Sequence, residues 1–274
     1  MTSEPQRFFE AVLIGFFVGI LSGGLGVGGG ILSTPLMRMF LAVDPHTAIG
    51  TSLAMIVPTA VSGALSYLRK GMVQVKLAVC LAVPAVVGTI AGSISTLYFH
   101  GGALMLLIAF LLAATGCDLL FGLGKRLQDR TRPADDSDNA SVGDGTAYPL
   151  AQVWLVGLLC GYLSGLLGVG GGFLLVPALI YIFKSPIKAA FGTSLAVVAL
   201  VCIPGTLVHV VEGHVYHWLA FSLVLGSVPG AWLGSVISMR LKDNWLKISF
   251  GVFVIAIAGI SAFKEIMEMT GAGS

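Results

Sequence analysis

Charge is what this sequence lacks. Only 10% of its 274 residues are Asp, Glu, Lys or Arg, where a soluble domain carries roughly 25%. That deficit excludes an ordinary soluble enzyme and a disordered chain. Fifteen basic residues against 13 acidic ones leave a net charge of +2, so there is no basic field to hold a nucleic acid. Cysteine is also sparse. Cys80, Cys117, Cys160 and Cys202 stand apart in apolar runs without CxxC spacing, which excludes a disulfide scaffold and a thiolate metal site. His, Cys and carboxylates do not cluster, so neither a metal nor another cofactor is expected. What is abundant is hydrophobic residues, at 56%, and glycine, at 37 residues with no collagen-like period. The composition is that of a polytopic membrane protein whose first partner is the lipid bilayer.

The charges that do occur leave long gaps. Residues 11–37, 45–68, 77–117, 145–183, 189–211, 213–239 and 248–263 contain none. About 20 helical residues cross a hydrocarbon core of ~30 Å. The pattern predicts an all-α fold with segments at 8–26, 31–43, 47–69, 74–97, 102–123, 150–168, 173–184, 189–211, 216–239 and 245–264. The second segment of each set of five is short for a span, so the first two are either full crossings or a pair of half-helices. Between the sets lies a hydrophilic linker, 124–149, rich in Asp, Ser, Gly and Pro. The N-terminus lacks a basic region with a small-residue cleavage site, so no removable signal peptide is expected.

The chain repeats itself. A constant shift of 142 positions lays GILSGGLGVGGGILSTP (19–35) on GYLSGLLGVGGGFLLVP (161–177) and Gly50-Thr51-Ser52-Leu53-Ala54 on Gly192-Thr193-Ser194-Leu195-Ala196. The same register carries Gly88 and Gly92 onto Gly230 and Gly234. The organisation is therefore a first transmembrane repeat at 8–123, the linker, and a second repeat at 150–264. Lys and Arg collect in loops 69–76, 184–188 and 240–247 and in the linker, but not in the matching loops 212–217, 44–46 and 98–101. Basic loops favour the cytoplasm. Matched loops thus fall on opposite sides, and the repeats are expected to be inverted, with the linker cytoplasmic and both termini outside.

Inverted repeats interrupted at matching places point to a secondary transporter with its site near the midplane, where the repeats meet. The Gly-rich breaks at Gly26, Gly28, Gly29 and Gly30, and at Gly168, Gly170, Gly171 and Gly172, interrupt a helix and leave backbone N–H groups open. Pro35 and Pro177 follow as helix-breaking residues. The segments after each break present helix N-termini, which favour an anion. Thr51, Ser52, Thr193 and Ser194 add hydroxyl donors. These residues are the expected substrate-binding set, and Arg38 is a candidate for attracting the anion. Each has a plainer reading: glycines also pack membrane helices closely, and Ser or Thr hydroxyls also bond the carbonyl one turn back. Arg38 equally reads as a side chain that snorkels to an interface. Asp118 is expected near the cytoplasmic interface; His209 is a candidate proton carrier, with a lone hydrogen-bonded histidine as its plainer reading. The pattern Gly24-x-Gly26-x-x-Gly29 lacks the strand that a dinucleotide site needs.

The doubled GVGGG-x4-P element with a downstream Gly-Thr-Ser-Leu-Ala, on either side of a hydrophilic linker, resembles the TauE/SafE sulfite exporter family, also called the four-toluene sulfonate uptake permease group. The resemblance covers nearly the whole chain. It implies an inner-membrane permease, not an enzyme, for a small anionic organosulfur substrate such as sulfite, sulfoacetate or a related organosulfonate. Carried over by position, it assigns the same glycines, prolines, threonines and serines. Transport is expected by alternating access, as export, with a proton or sodium ion as the coupling ion. Two alternatives stand beside this reading. One is a permease for another small solute such as an amino acid. The other is a membrane-embedded hydrolase built on Ser164 and His209.

Overall fold

The computed structural model describes residues 4–41, 43–99, 101–121 and 149–241, with Val252, Ile255, Ala256, Ala258 and Gly259. The linker expected at 124–149, nearly all of it, most of the segment expected at 245–264, the Asp118 side chain, and Lys242 and Lys247 lie outside the described residues. Among the described residues every regular element is a helix: α1 (Glu4–Leu25), α2 (Gly30–Phe40), α3 (Pro45–Leu68), α4 (Val75–Thr96), α5 (Gly101–Phe121), α6 (Leu150–Leu167), α7 (Gly172–Tyr181), α8 (Ile187–Val211) and α9 (His217–Arg240). Their bounds fall within a few residues of the segments expected from hydropathy. Local chemistry fixes the ends. The Asp44 carboxylate caps α3 by accepting from the His46 and Thr47 N–H groups at 3.1 and 3.5 Å, with Pro45 at the first helical position.

Six of these helices, α1, α3, α4, α6, α8 and α9, are long and apolar enough to cross a membrane. The protein is a polytopic helical membrane protein. Its outer faces are built for lipid: Val75, Val79, Val83 and Val87 on α4, Phe9, Leu13 and Phe17 on α1, and Leu200, Ile203 and Leu207 on α8 are all exposed. Contiguous apolar surface of this extent is untenable in water. By contrast α2 and α7, at 11 and 10 residues, rise only about 15–17 Å. Neither is long enough to cross, while α1 and α6 are, so the first two segments of each set are one long helix and one short one, rather than two full crossings or a pair of half-helices.

Helix directions follow from side-by-side contacts. Gly15, Gly19 and Gly23 on α1 face Leu223, Ser227 and Ala231 on α9 in that order, so these helices run parallel. Gly161 and Gly165 on α6 face Ala85 and Thr89 on α4 in the same way. A methyl group at any of these glycines would overlap the facing carbonyl, so these are close-packed seams of small residues. The first helix of each repeat thus packs along the fourth helix of the other. In the centre, α3 and α8 run antiparallel. Gly50 near the start of α3 lies against His209 near the end of α8, and Gly192 near the start of α8 lies against Tyr67 near the end of α3.

Two chemically distinct ends result. At one, the Gln74 side chain accepts from Ser185 Oγ at 2.7 Å and Lys188 Nζ donates to Met239 O at 3.0 Å. Arg69, Lys70, Lys76, Lys184, Lys188 and Arg240 share that end. At the other, the His46 ring lies 3.3 Å from Phe99 O and 5.6 Å, centroid to centroid, from the His214 ring. Asp44, Glu212 and an aromatic cluster of Phe8, Trp218 and Phe221 belong to this second end. Aromatic residues of this kind favour the level of lipid headgroups.

Candidate functional site

The centre of the molecule is where both chain breaks meet. Gly28 and Gly29 have φ of 83° and 84°, and Gly170 and Gly171 have φ of 82° and 69°. These are left-handed conformations that a side chain disfavours. Space is equally short: a Cβ on Gly28 would stand 2.7 Å from Val198 Cγ1, and one on Gly170 3.2 Å from the same atom. The breaks also touch each other. A Cβ on Gly30 would lie 2.6 Å from Gly168 O, and one on Gly172 2.5 Å from Val27 O. Ile56, halfway along α3, borders both, so the breaks cross at mid-depth. Every residue from Ser22 to Thr34, Val27 included, and from Ser164 to Phe173 is buried.

From this crossing α2 and α7 begin. Leu32 and Ser33 N–H donate to Gly29 O, and Leu174 and Leu175 N–H to Gly171 O. The N–H groups of Gly30 and Ile31, and of Gly172 and Phe173, are left without an intrahelical acceptor. Two positive helix ends therefore lie at mid-depth. Beside each sits a serine of the preceding helix: a Cβ on Gly29 would be 3.3 Å from Ser22 Oγ, and one on Gly171 3.2 Å from Ser164 Cβ. Ser22 and Ser164 are 1% and 0% exposed, and neither hydroxyl closes a hydrogen bond. The Cys202 thiol is a polar neighbour of Ser164. Two buried donors without acceptors, beside two positive helix ends, make an environment that favours an anion. None of Asp, Glu, Lys or Arg is buried among the described residues.

The duplicated Gly-Thr-Ser elements stand one turn away from the crossing and are used differently by their two hydroxyls. Thr51 Oγ1 accepts the Tyr216 N–H at 3.0 Å, and Thr193 Oγ1 accepts the Gln74 N–H at 2.9 Å. Each threonine so caps the fourth helix of the opposite repeat. Ser52 Oγ lies 2.5 Å from Ser33 Oγ. Ser33 is replaced by Leu175 in the second repeat, and Ser194 Oγ accordingly has no partner. Pro35 and Pro177 sit inside α2 and α7, so the glycines alone form the breaks. Pro35 has no N–H to donate to the Ile31 carbonyl one turn back. Arg38, half-buried and partnered, stands in the last turn of α2, about 12 Å along the helix from Gly30. It belongs to the Asp44 end rather than to the crossing.

Sequence reasoning did not place Ser22 and Ser164 in the candidate site. The signal was present, since both lie in the duplicated Leu-Ser-Gly, but hydroxyl-to-carbonyl bonding within a helix was the ordinary expectation. It also missed His46 and His214 as neighbours of His209, because three separate segments bring them together. No hydrogen bond joins Ser164 Oγ to either His209 nitrogen, so the hydrolase dyad is not formed. Among the described residues no group of three His, Cys, Asp or Glu is arranged to hold a metal ion.

Known proteins place this arrangement. The family model for sulfite exporter TauE/SafE matches residues 11–260. A probable membrane transporter protein of Xylella fastidiosa is 32% identical over 249 residues, covering 90% of this chain and 90% of that protein. The probable membrane transporter protein YunE of Bacillus subtilis is 28% identical over 272 residues, covering 92% and 96%. The probable membrane transporter protein MJ0441 of Methanocaldococcus jannaschii is 23% identical over 253 residues, covering 86% and 88%. No solved structure matches the chain significantly.

Proposed function

The chain belongs to the sulfite exporter TauE/SafE family of membrane transporters, and on that premise we propose that it exports a small sulfur oxyanion by alternating access. Sulfite, sulfoacetate and related organosulfonates are the substrate class. The observation that carries the reading is the crossing of two glycine breaks at mid-depth, each opening a helix N-terminus beside an unpartnered buried serine.

The chemistry suits a substrate that must also leave. Gly30 and Ile31, with Gly172 and Phe173, offer backbone N–H groups, and Ser22, Ser164 and Ser194 offer hydroxyls. A net hydrogen bond to a charged group contributes ~1.5–3 kcal/mol. Several such bonds hold an anion, while a buried Lys or Arg would hold it in a deep electrostatic well. Because the crossing is buried from both ends, the anion enters only when the helices around it part. The α1–α9 and α4–α6 seams join opposite repeats and move as units against the α3–α8 pair. In this reading the repeats are inverted in the inner membrane. The end bearing Arg69, Lys70, Lys76, Lys184, Lys188 and Arg240 faces the cytoplasm, and the termini face outward.

The test is flux in proteoliposomes loaded in turn with sulfite, sulfoacetate, taurine and a non-sulfur amino acid. Saturable movement of the sulfur oxyanions supports the reading; movement of the amino acid alone replaces it.

A further inference from the structure

At the Asp44 end three imidazoles line up from the surface inward. His46, at the second position of α3, has a side chain 25% exposed; its ring is 5.6 Å from that of His214, which is 6.0 Å from that of His209. His209 is fully buried in α8. Neither of its ring nitrogens closes a hydrogen bond, nor does Nδ1 of His214; the Gly165 backbone of α6 is a polar neighbour of His209. Leaving buried polar atoms unbonded costs stability, so packing alone gives no reason for an imidazole here. The other repeat shows what packing alone would use. The counterpart of His209 is Tyr67, equally buried, whose hydroxyl donates to Gly24 O of α1 at 3.5 Å. A phenol keeps one charge state across physiological pH, whereas an imidazole does not. The two pockets are equivalent in place and different in chemistry.

The site also touches the transport machinery. A Cβ on Gly50 would lie 3.0 Å from His209 Cβ, and Gly50 immediately precedes Thr51 and Ser52. The remaining charged or titratable groups at this end are Asp44 at the start of α3, 3.9 Å from His46, Glu4, Arg7 and Glu10 in the first turns of α1, Glu212 at the end of α8, Tyr216 and His217 at the start of α9, Tyr98 after α4 and Arg38 at the end of α2. The only such side chains on α6 are Cys160 and Tyr162, and the first turn of α5 brings none.

We propose that His209 is a proton-binding site that couples transport to protons taken from the Asp44–Glu212 end, with His46 and His214 relaying them. Each relay step binds one proton on an imidazole nitrogen and releases one from the other, leaving the relay unchanged. A proton on His209 places a cation between α3, α6 and α8 that the Tyr67 pocket cannot match, and so biases the two repeats unequally. The proposal rests on the alternating-access reading above.

Two measurements keep the two claims apart. The first needs no substrate: nitrogen-15 NMR of histidine-labelled protein in lipid nanodiscs, titrated over roughly pH 3 to 8, a range wide enough to include a buried imidazole. The His209 resonance, identified by its loss in His209→Gln, is expected to shift from neutral to protonated. The second is sulfite flux driven by a pH gradient across oriented proteoliposomes. His209→Gln and His209→Tyr are expected to keep solute exchange and lose the response to pH at the Asp44 end. A His209 resonance that stays neutral throughout, or an undiminished pH response in both variants, overturns the proposal. A titrating His209 without flux of any sulfur oxyanion overturns the substrate class and leaves the proton site standing.

Discussion

Thr51 Oγ1 accepts the backbone N–H of Tyr216 at 3.0 Å, a bond from the middle of one repeat to the helix start of the other. Thr193 and Gln74 repeat it at 2.9 Å. The Thr51→Val, Thr193→Val double variant keeps shape and removes both acceptors, leaving two N–H groups unbonded at a cost of roughly 1–3 kcal/mol each. A lowered melting temperature in detergent, with reduced flux, is expected. The Thr→Ser pair should restore both. Full flux at unchanged melting temperature in the valine variant would remove these bonds from the account.

Removal of the unpartnered hydroxyls should do the opposite. Ser22→Ala with Ser164→Ala deletes no hydrogen bond of the folded protein, so thermal stability should hold or rise. Loss of two charge-assisted bonds to the anion, each worth ~1.5–3 kcal/mol, should raise the KM for sulfite at least tenfold. A KM that does not move places the anion elsewhere.

Glycine substitutions separate strain from space. Gly71 has a φ of 68° and open surroundings, so Gly71→Ala meets strain alone. Gly28→Ala meets the same strain and Val198 Cγ1 at 2.7 Å, and Gly170→Ala meets it at 3.2 Å. Folded yield and flux should fall in the order Gly71→Ala, Gly170→Ala, Gly28→Ala, with the first near wild type; equal losses at all three would mean that only backbone strain matters.

Sidedness is tested by labelling. In a variant with Cys80, Cys117, Cys160 and Cys202 replaced, an impermeant maleimide applied to intact cells should label Glu212→Cys and spare Lys70→Cys. The reverse pattern would turn the protein over in the membrane and make the Asp44 end cytoplasmic.

Much of this architecture was legible in the sequence. Charge-free runs placed each described helix, since hydrocarbon excludes charge regardless of tertiary detail. The glycine breaks were legible because only glycine tolerates φ near 80° in so little space, and the duplication marked them twice. The sorting of basic and acidic loops to opposite ends was readable from Arg69, Lys70 and Glu212. Partners across the fold were not. The Thr51–Tyr216 bond spans 165 positions, and no local pattern in Gly-Thr-Ser distinguishes a cap for a distant helix from a ligand for a solute. His46, His209 and His214 meet only because α3 and α8 run antiparallel, which places one helix start beside the other's end. Nothing in the duplicated Leu-Ser-Gly beyond its repetition marks Ser22 and Ser164 as site serines; that both lack an acceptor shows only in the fold.

The account stands most directly on counterflow. Proteoliposomes holding excess unlabelled sulfite, placed in labelled sulfite, should accumulate label transiently, and sulfoacetate inside should substitute for sulfite. The Ser22→Ala, Ser164→Ala protein should accumulate label only at much higher concentrations. Absence of label accumulation with every sulfur oxyanion, in protein shown to be folded by its melting transition, would contradict a sulfur-oxyanion site at the crossing of the two breaks.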